Sequence, residues 1–180
     1  MSPNLKPSAS EAPDAGFKRR GNRRAGALYS PDSRYRYRFW QRWDSTRPNC
    51  CFVLLCPNPD DEVGGDPTLA RLAKIAARAG CGGFEVVCLF ARRAHGRDDL
   101  ETARDPIGPA NDVVLMHVAE QAGMVVCAWG QQGMLLGRGR SVRALLQAAD
   151  IPLHILAETE SGHPEHPHFV SHDRVPIRWL

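Results

Sequence analysis

Several features that would decide the class of this protein at once are missing. The sequence contains no run of about 18 apolar residues, and its polar N-terminal segment lacks the apolar stretch of a secretory signal. We therefore expect a protein that neither spans a membrane nor is exported, and that lies in the cytoplasm. The sequence has no internal repeat and no coiled-coil heptad pattern. It therefore does not predict an oligomeric state.

None of the six cysteines forms a Cys-x-x-Cys pair, which removes the signature of zinc ribbons and thioredoxins. Most of them lie inside apolar runs, as in the segment 50–56. Free thiols buried in a reducing compartment fit this placement better than disulfides do. We predict no bound cofactor, and a metal enters only as an alternative for the histidines and cysteines described below.

Charge is distributed unevenly along the 180 residues. Residues 1–47 contain 11 Lys and Arg against 4 Asp and Glu, whereas residues 48–180 contain 12 against 16. The first 32 residues are rich in Ser, Pro, Gly and Arg without apolar periodicity, which predicts a disordered basic tail. Such a tail is either a solvated leader or an arm that binds nucleic acid. Residues 33–180 should then form one α/β domain.

Apolar runs alternate with helical patterns in that domain. Buried strands are predicted at 51–56, 84–90, 124–129 and 153–156. Helices are predicted from 66 to 80, with Asp66 as N-cap, from 108 to 121, and around Val142 and Leu146. This order predicts a three-layer αβα fold with a mainly parallel four-stranded central sheet.

Residues 35–39 alternate aromatic and basic side chains. Alternation of this kind is typical of a half-buried strand, and we predict an extra N-terminal strand at the sheet edge. Arginine interleaved with aromatic residues is also a pattern that stacks on bases.

Ligands of open α/β sheets bind beyond the carboxyl ends of the strands, so the loops 56–66, 89–108, 129–139 and 157–170 are the candidates. The first contains Cys56, Asn58 and several aspartates, which either position a water or form turns. The last contains His163, His166 and His168, followed by His172. These histidines could act as an acid, bind a metal or form a surface turn.

Arginines follow two of the predicted strands. Arg93 follows the second, and Arg138, Arg140 and Arg143 follow the glycine-containing loop after the third. The Gly-Lys-Ser/Thr ending of a Walker loop is absent. The arginines are typical either of a phosphate site or of a flexible solvated loop.

A set of ordered motifs links these loops. They are Cys-Pro-Asn-Pro-Asp, Asp66-Pro67-Thr68, Gly82-Gly83-Phe84, Leu89-Phe90-Ala91, Asp105-Pro106-Ile107-Gly108-Pro109 with Asn111-Asp112, Ala128-Trp129-Gly130, Gly162-His163-Pro164 and His166-Pro167. From about Arg34 onward the chain resembles a bacterial family of unknown function, which typically carries Leu-Asn-Pro-Ser-Thr and Asn-Leu-Phe-Ala where this chain has Cys56 and Cys88.

The motif order is also similar to that of the uracil-DNA glycosylase superfamily. That resemblance implies a glycosylase-like fold, with Asn58 or Cys56 positioning water, Cys88 reading the base and His166 stabilising the departing base. Thiols replace amides at positions 56 and 88, and a thiol lacks the paired donor and acceptor with which an amide reads a base. Further candidate substrate-binding residues are Phe90, Arg93, Asn111, Asp112, Trp129 and His163. Phe90 and Trp129 are either stacking walls or core residues.

Three functions follow as hypotheses. The first is an enzyme acting at an N-glycosidic bond of a nucleobase, nucleotide or modified nucleic acid. The second is a non-catalytic module that binds nucleotide or nucleic acid through the pocket and the basic tail. The third is a thiol or metal-dependent site built on Cys56 and Cys88, with His166.

Overall fold

The computed structural model describes residues 16–59, 67–171 and 173–180. Three features of the sequence interpretation lie outside these residues: the first 15 residues of the basic tail, the predicted N-cap Asp66, and His172. No helix in the described part is long and apolar enough to cross a membrane.

One mixed sheet forms the centre of the described protein. Its strands are β1 Lys18–Gly21, β2 Ala25–Tyr29, β3 Arg36–Arg42, β4 Asn49–Leu54, β5 Gly83–Cys88, β6 Met124–Cys127, β7 Leu153–Ile155 and β8 Ile177–Arg178. Their spatial order is β1-β2-β3-β5-β4-β6-β7-β8. The α/β class is thereby confirmed.

The prediction of a mainly parallel sheet is wrong for the sheet as a whole. The strands β5, β4, β6 and β7 do run parallel, as their apolar sequences indicate. The pairings β1 with β2, β2 with β3, β3 with β5, and β7 with β8 are antiparallel. Antiparallel strands therefore extend the parallel centre on both sides.

The N-terminal hairpin corrects two further predictions. Residues 18–29 were expected to be unstructured, but they form β1 and β2, and β2 pairs with β3. Consequently β3 is an interior strand and not an edge strand. The hairpin escapes a sequence interpretation because β1 is wholly exposed and Arg-rich, so that only Ala27, Leu28 and Tyr29 of β2 contribute buried apolar surface.

Helices cover both faces of the sheet. They are α1 Pro67–Arg78, α2 Arg97–Thr102, α3 Asn111–Gln121 and α4 Arg138–Ala148, with 3-10 helices at Gln131–Gly137 and Pro167–Phe169. Side chains of β4 alternate between two hydrophobic clusters. Phe52 packs in the cluster that includes Leu72 and Ile75 of α1, whereas Val53 packs in the cluster of α3 and α4. This separation forms the three layers.

The parallel strands end level with one another, and this positions the candidate site. Leu54 of β4 pairs with Cys88 of β5, and Val53 pairs with Cys127 of β6. The loops that follow these three strands therefore start at the same end of the sheet, where the carboxyl ends of the parallel strands lie. The last loop joins them, because the backbone N–H of Gly130 donates to the carbonyl of Pro164 at 2.8 Å.

Candidate functional site

A cavity of about 910 Å³ lies at the carboxyl ends of the parallel strands. Its lining comes mainly from the first turn of α1, the last loop and the loops that follow β4, β5 and β6. The predicted site residues in that lining are Cys56, Asn58, Trp129 and His166. Residues from the first and last candidate loops, more than 100 positions apart in sequence, thus share one cavity.

Cys56 is held by the loop that follows β5. Its half-buried thiol donates a hydrogen bond to the carbonyl of Ala94, with a separation of 3.7 Å. The N–H of Ala94 donates in return to the carbonyl of Pro57 at 3.0 Å. Asn58, two residues further, is exposed at the cavity rim. A thiol and an amide therefore lie at the same strand end.

The ring of His166 has a defined tautomer in its neutral form. Its Nδ1 accepts a hydrogen bond from the backbone N–H of His168 at 3.2 Å. An accepting Nδ1 carries no proton, so the neutral ring has its N–H at Nε2. The backbone N–H of His166 donates to Oε1 of Glu165 at 2.9 Å, which adds a second constraint on this turn. The arrangement makes His166 a hydrogen-bond donor through Nε2.

The ring of Trp129 belongs to the packed interior. Trp129 is only 2% exposed, and its indole contacts the Trp179 ring edge-to-face at 5.9 Å between centroids. A Cβ at Gly133 would lie 2.1 Å from the indole Cδ1, which shows how closely the backbone of the 3-10 helix covers the ring. The core interpretation of Trp129 agrees with this packing better than a stacking wall does.

Phe169 and Arg36 are two of the lining residues that the sequence interpretation missed. Phe169 is 74% exposed, and its ring lies 5.4 Å from that of His168 and 6.2 Å from that of His166. Arg36, at the start of β3, lines the cavity although it is only 4% exposed. The alternating segment 35–39 and the His-Pro turn contained the signal for both, but sequence alone does not show which side chain faces a cavity.

The remaining predicted site residues do not line this cavity. They are Cys88, Phe90, Arg93, Asn111, Asp112 and His163. Cys88 and Phe90 are buried in the two hydrophobic clusters. Arg93 donates to the carbonyls of Ser33 at 3.2 Å and Pro59 at 3.3 Å. Their predicted substrate contacts remain predictions.

Asn111 and Asp112 brace the end of β5. The fully buried Asn111 donates through Nδ2 to the carbonyls of Cys88 and Leu89, at 2.9 and 3.1 Å. Asp112 forms an ion pair with Arg138, whose Nε donates to the carbonyl of Leu89 at 2.8 Å. These contacts give the Asn-Asp motif a structural role, since they fix the backbone from which the neighbouring loop departs.

Burial and hydrogen bonding shift the pKa of the thiols of Cys50, Cys51, Cys81 and Cys127. Burial raises the pKa of the Cys51 and Cys127 thiols. Cys50 donates a hydrogen bond to Cys81, which raises the pKa of Cys50 and lowers the pKa of Cys81 to about 7. Among the described residues no group of three His, Cys, Asp or Glu side chains could hold a metal ion. The metal-dependent alternative therefore lacks a ligand set in this part of the chain.

Comparison with known proteins identifies the family of the chain but not its chemistry. No curated protein and no solved structure was found to match it. One family model, described as "Protein of unknown function (DUF1643)", matches residues 36–168, which is well over half of the chain. The matched region runs from Arg36, at the cavity, through the His-Pro turn. The chain therefore belongs to this family of unknown function.

Proposed function

We propose that this protein cleaves an N-glycosidic bond of a nucleobase, nucleotide or modified nucleic acid. The observation that carries the proposal is the shared cavity, which is lined by Cys56 and Asn58 of the first loop and by His166 of the last. We further propose that the loops are arranged as in the uracil-DNA glycosylase superfamily.

His166 is the proposed leaving-group donor. When the glycosidic bond breaks, its electron pair goes to the base, which departs with negative charge. The Nε2–H of the neutral ring, whose Nδ1 is occupied by the N–H of His168, donates a hydrogen bond to that charge. A donor already oriented in the free enzyme stabilises the transition state without a reorganisation cost.

Asn58 is the proposed water-positioning residue. Its side-chain carbonyl accepts a hydrogen bond from a water, and the water oxygen attacks the sugar carbon that loses the base. One water proton is released to solvent, and the departing base takes up a proton from solvent. Cys56, whose thiol donates to the carbonyl of Ala94, is the alternative candidate for this role.

Phe169 is the proposed stacking surface. An exposed aromatic ring in a cavity gives a flat apolar face to any base, and such stacking tolerates different bases. The rings of His166 and His168 contact the Phe169 ring in T-shaped geometry, and Phe169 is still 74% exposed.

Release of free base, followed by chromatography, tests the proposal. The substrate panel contains nucleosides, nucleotides and oligonucleotides with uracil or damaged bases. His166→Ala should lower the rate by about 10²- to 10³-fold, since one transition-state donor is lost. His117→Ala is the matched control, because the half-buried His117 of α3 does not line the cavity and pairs with Gln121 at 3.1 Å. Equal rates for the two variants would refute the role of His166.

The second candidate is a nucleotide or nucleic-acid binding module without catalysis. It is favoured by the thiols at positions 56 and 88, where the family resemblance leads one to expect amides. The same panel separates the two candidates. Saturable binding of a nucleotide, with no base released from any substrate, would favour the module.

A further inference from the structure

The N-terminal hairpin presents a concentrated positive charge. We define the basic hairpin as residues 18–24, which comprise β1 and the turn into β2. It contains Lys18, Arg19, Arg20, Arg23 and Arg24, all of them exposed, and no Asp or Glu occurs from residue 16 to residue 31. By contrast, residues 48–180 contain 12 Lys and Arg against 16 Asp and Glu. A local excess of positive charge is thus concentrated at the β1 edge of the sheet.

Several hydrogen bonds fix the turn of the basic hairpin. Oδ1 of Asn22 accepts from the backbone N–H of Arg24 at 2.8 Å and of Ala25 at 3.1 Å. The carbonyl of Asn22 accepts from the indole N–H of Trp40 at 2.9 Å, and the carbonyl of Arg24 accepts from the N–H of Arg42 at 2.6 Å. Arg23 and Arg24 therefore project from a backbone anchored to β3, which lowers the entropy lost when a ligand binds.

Aromatic rings accompany these cations. The guanidinium of Arg19 lies 5.0 Å from the centroid of the Trp40 ring. Trp43 follows Arg42, the residue bonded to Arg24, and is 47% exposed although its ring contacts Phe84 at 6.4 Å. Trp43 is thus one residue from the backbone bond that anchors the arginine turn to β3. Exposed aromatic rings together with arginines are the combination with which proteins bind single-stranded nucleic acid.

Protection of the sheet edge explains only part of this charge. Lysine and arginine on an edge strand prevent pairing with other chains, and β1 is such a strand in the described protein. Arg23 and Arg24 lie beyond β1, in the turn, where there is no edge to protect. No acidic residue of the described part forms an ion pair with either of them.

We infer that the basic hairpin and Trp43 form a docking surface for single-stranded nucleic acid. Arg23 and Arg24 contact phosphates, and a base stacks on Trp43. This surface lies away from the cavity, because Arg36 at the cavity and Arg42 beside the turn are opposite ends of β3, roughly 20 Å apart at strand spacing. A mononucleotide in the cavity does not reach the hairpin, so the surface requires an oligomer.

Fluorescence anisotropy with a labelled 20-nucleotide single strand tests the inference. For Arg23→Ala with Arg24→Ala, loss of two phosphate contacts should reduce the slope of log K against log salt by about 1.4 and weaken binding about 25-fold at 0.1 M salt. The control pair Arg174→Ala with Arg178→Ala removes the same charge, and Arg178 lies in β8 at the opposite edge of the sheet. It should change the slope little.

Two outcomes would overturn the inference. One is a salt dependence in which the hairpin variant does not differ from the control pair, either because its slope is unchanged or because both variants lose the same slope. The other is binding of the wild type to phosphatidylserine vesicles but not to the oligonucleotide, which would identify a membrane surface as the partner. Circular dichroism confirms that each variant is folded. Base release by the cavity is measured separately on mononucleosides, so failure of either proposal leaves the other intact.

Discussion

At the scale of single residues, glycine decides how the Trp129 ring is buried. A Cβ at position 133 would meet the ring at 2.1 Å, and one at position 139 would lie 2.9 Å from its Nε1. Trp179 also packs against the Trp129 ring, in an edge-to-face contact. Because these two positions have no side chain, the backbone of the loop after β6 can pack directly on the Trp129 ring. That loop also forms one wall of the cavity.

Gly133→Ala should destabilise the protein by about 1–3 kcal/mol through overpacking, as measured by urea unfolding. The control is Gly96→Ala, because nothing lies within 4 Å of a Cβ at Gly96. Equal stability of the two variants would show that the Trp129 ring is not enclosed as described.

The pKa of Cys81, lowered to about 7 by the hydrogen bond from Cys50, predicts its reactivity. At pH 7 a larger fraction of Cys81 is thiolate than of Cys50, Cys51 or Cys127, whose pKa values are raised. Iodoacetamide should therefore modify Cys81 first among these four thiols, as followed by peptide mass spectrometry. Cys50→Ala should slow that modification. A rate at Cys81 that is indifferent to the substitution would exclude the hydrogen bond as the cause.

Sequence reasoning located part of the candidate site at this scale. It found Cys56, Asn58 and His166 because strand ends and a His-Pro motif are visible in sequence. It missed Phe169 and Arg36, since an exposed Phe and a buried Arg both oppose the usual burial tendencies. Burial of that kind is decided by packing between distant segments.

At the scale of elements, the ion pair of Asp112 and Arg138 joins the first turn of α3 to the first turn of α4. Asp112→Ala should cost about 1–3 kcal/mol in urea unfolding, because the buried Arg138 loses a charged hydrogen-bond partner. Glu101→Ala removes an exposed pair with Arg97 and should cost less than about 0.5 kcal/mol. A cost at Glu101 as large as at Asp112 would contradict this ranking.

The hairpin predicts how the chain tolerates truncation. Removal of residues 1–29 would expose the edge of β3 and the buried contacts of Leu28, so we expect a lower melting temperature and aggregation. Removal of residues 1–15 leaves the hairpin in place and should have little effect. Calorimetry and light scattering compare the two. Soluble, equally stable protein after the longer deletion would show that the hairpin is not part of the fold.

Most central elements could be predicted from sequence, and most peripheral ones could not. Continuous apolar runs identify β4, β5, β6 and β7, and apolar stripes identify α1, α3 and α4. The six-residue α2 and the two-residue β8 are too short to show a period. β1 has no buried side chain, so only its pairing with β2 reveals it as a strand.

At the scale of the whole molecule, the fold separates two surfaces. The parallel strands end at the same level, so the cavity lies at their carboxyl ends. The basic hairpin lies elsewhere, because it contains β1, an outermost strand of the same sheet. The proposed base-release chemistry needs only the cavity, and the proposed binding of single-stranded nucleic acid needs only the basic hairpin with Trp43. The two surfaces lie at different places on one continuous sheet.

The central claim is that the cavity binds a nucleobase between the first and last loops. A crystal structure of the protein soaked with a nucleobase or nucleoside tests it most directly. The account predicts base density stacked on Phe169, with Nε2 of His166 within hydrogen-bond distance of a base oxygen. A nucleobase bound elsewhere, with both loops untouched, would contradict it.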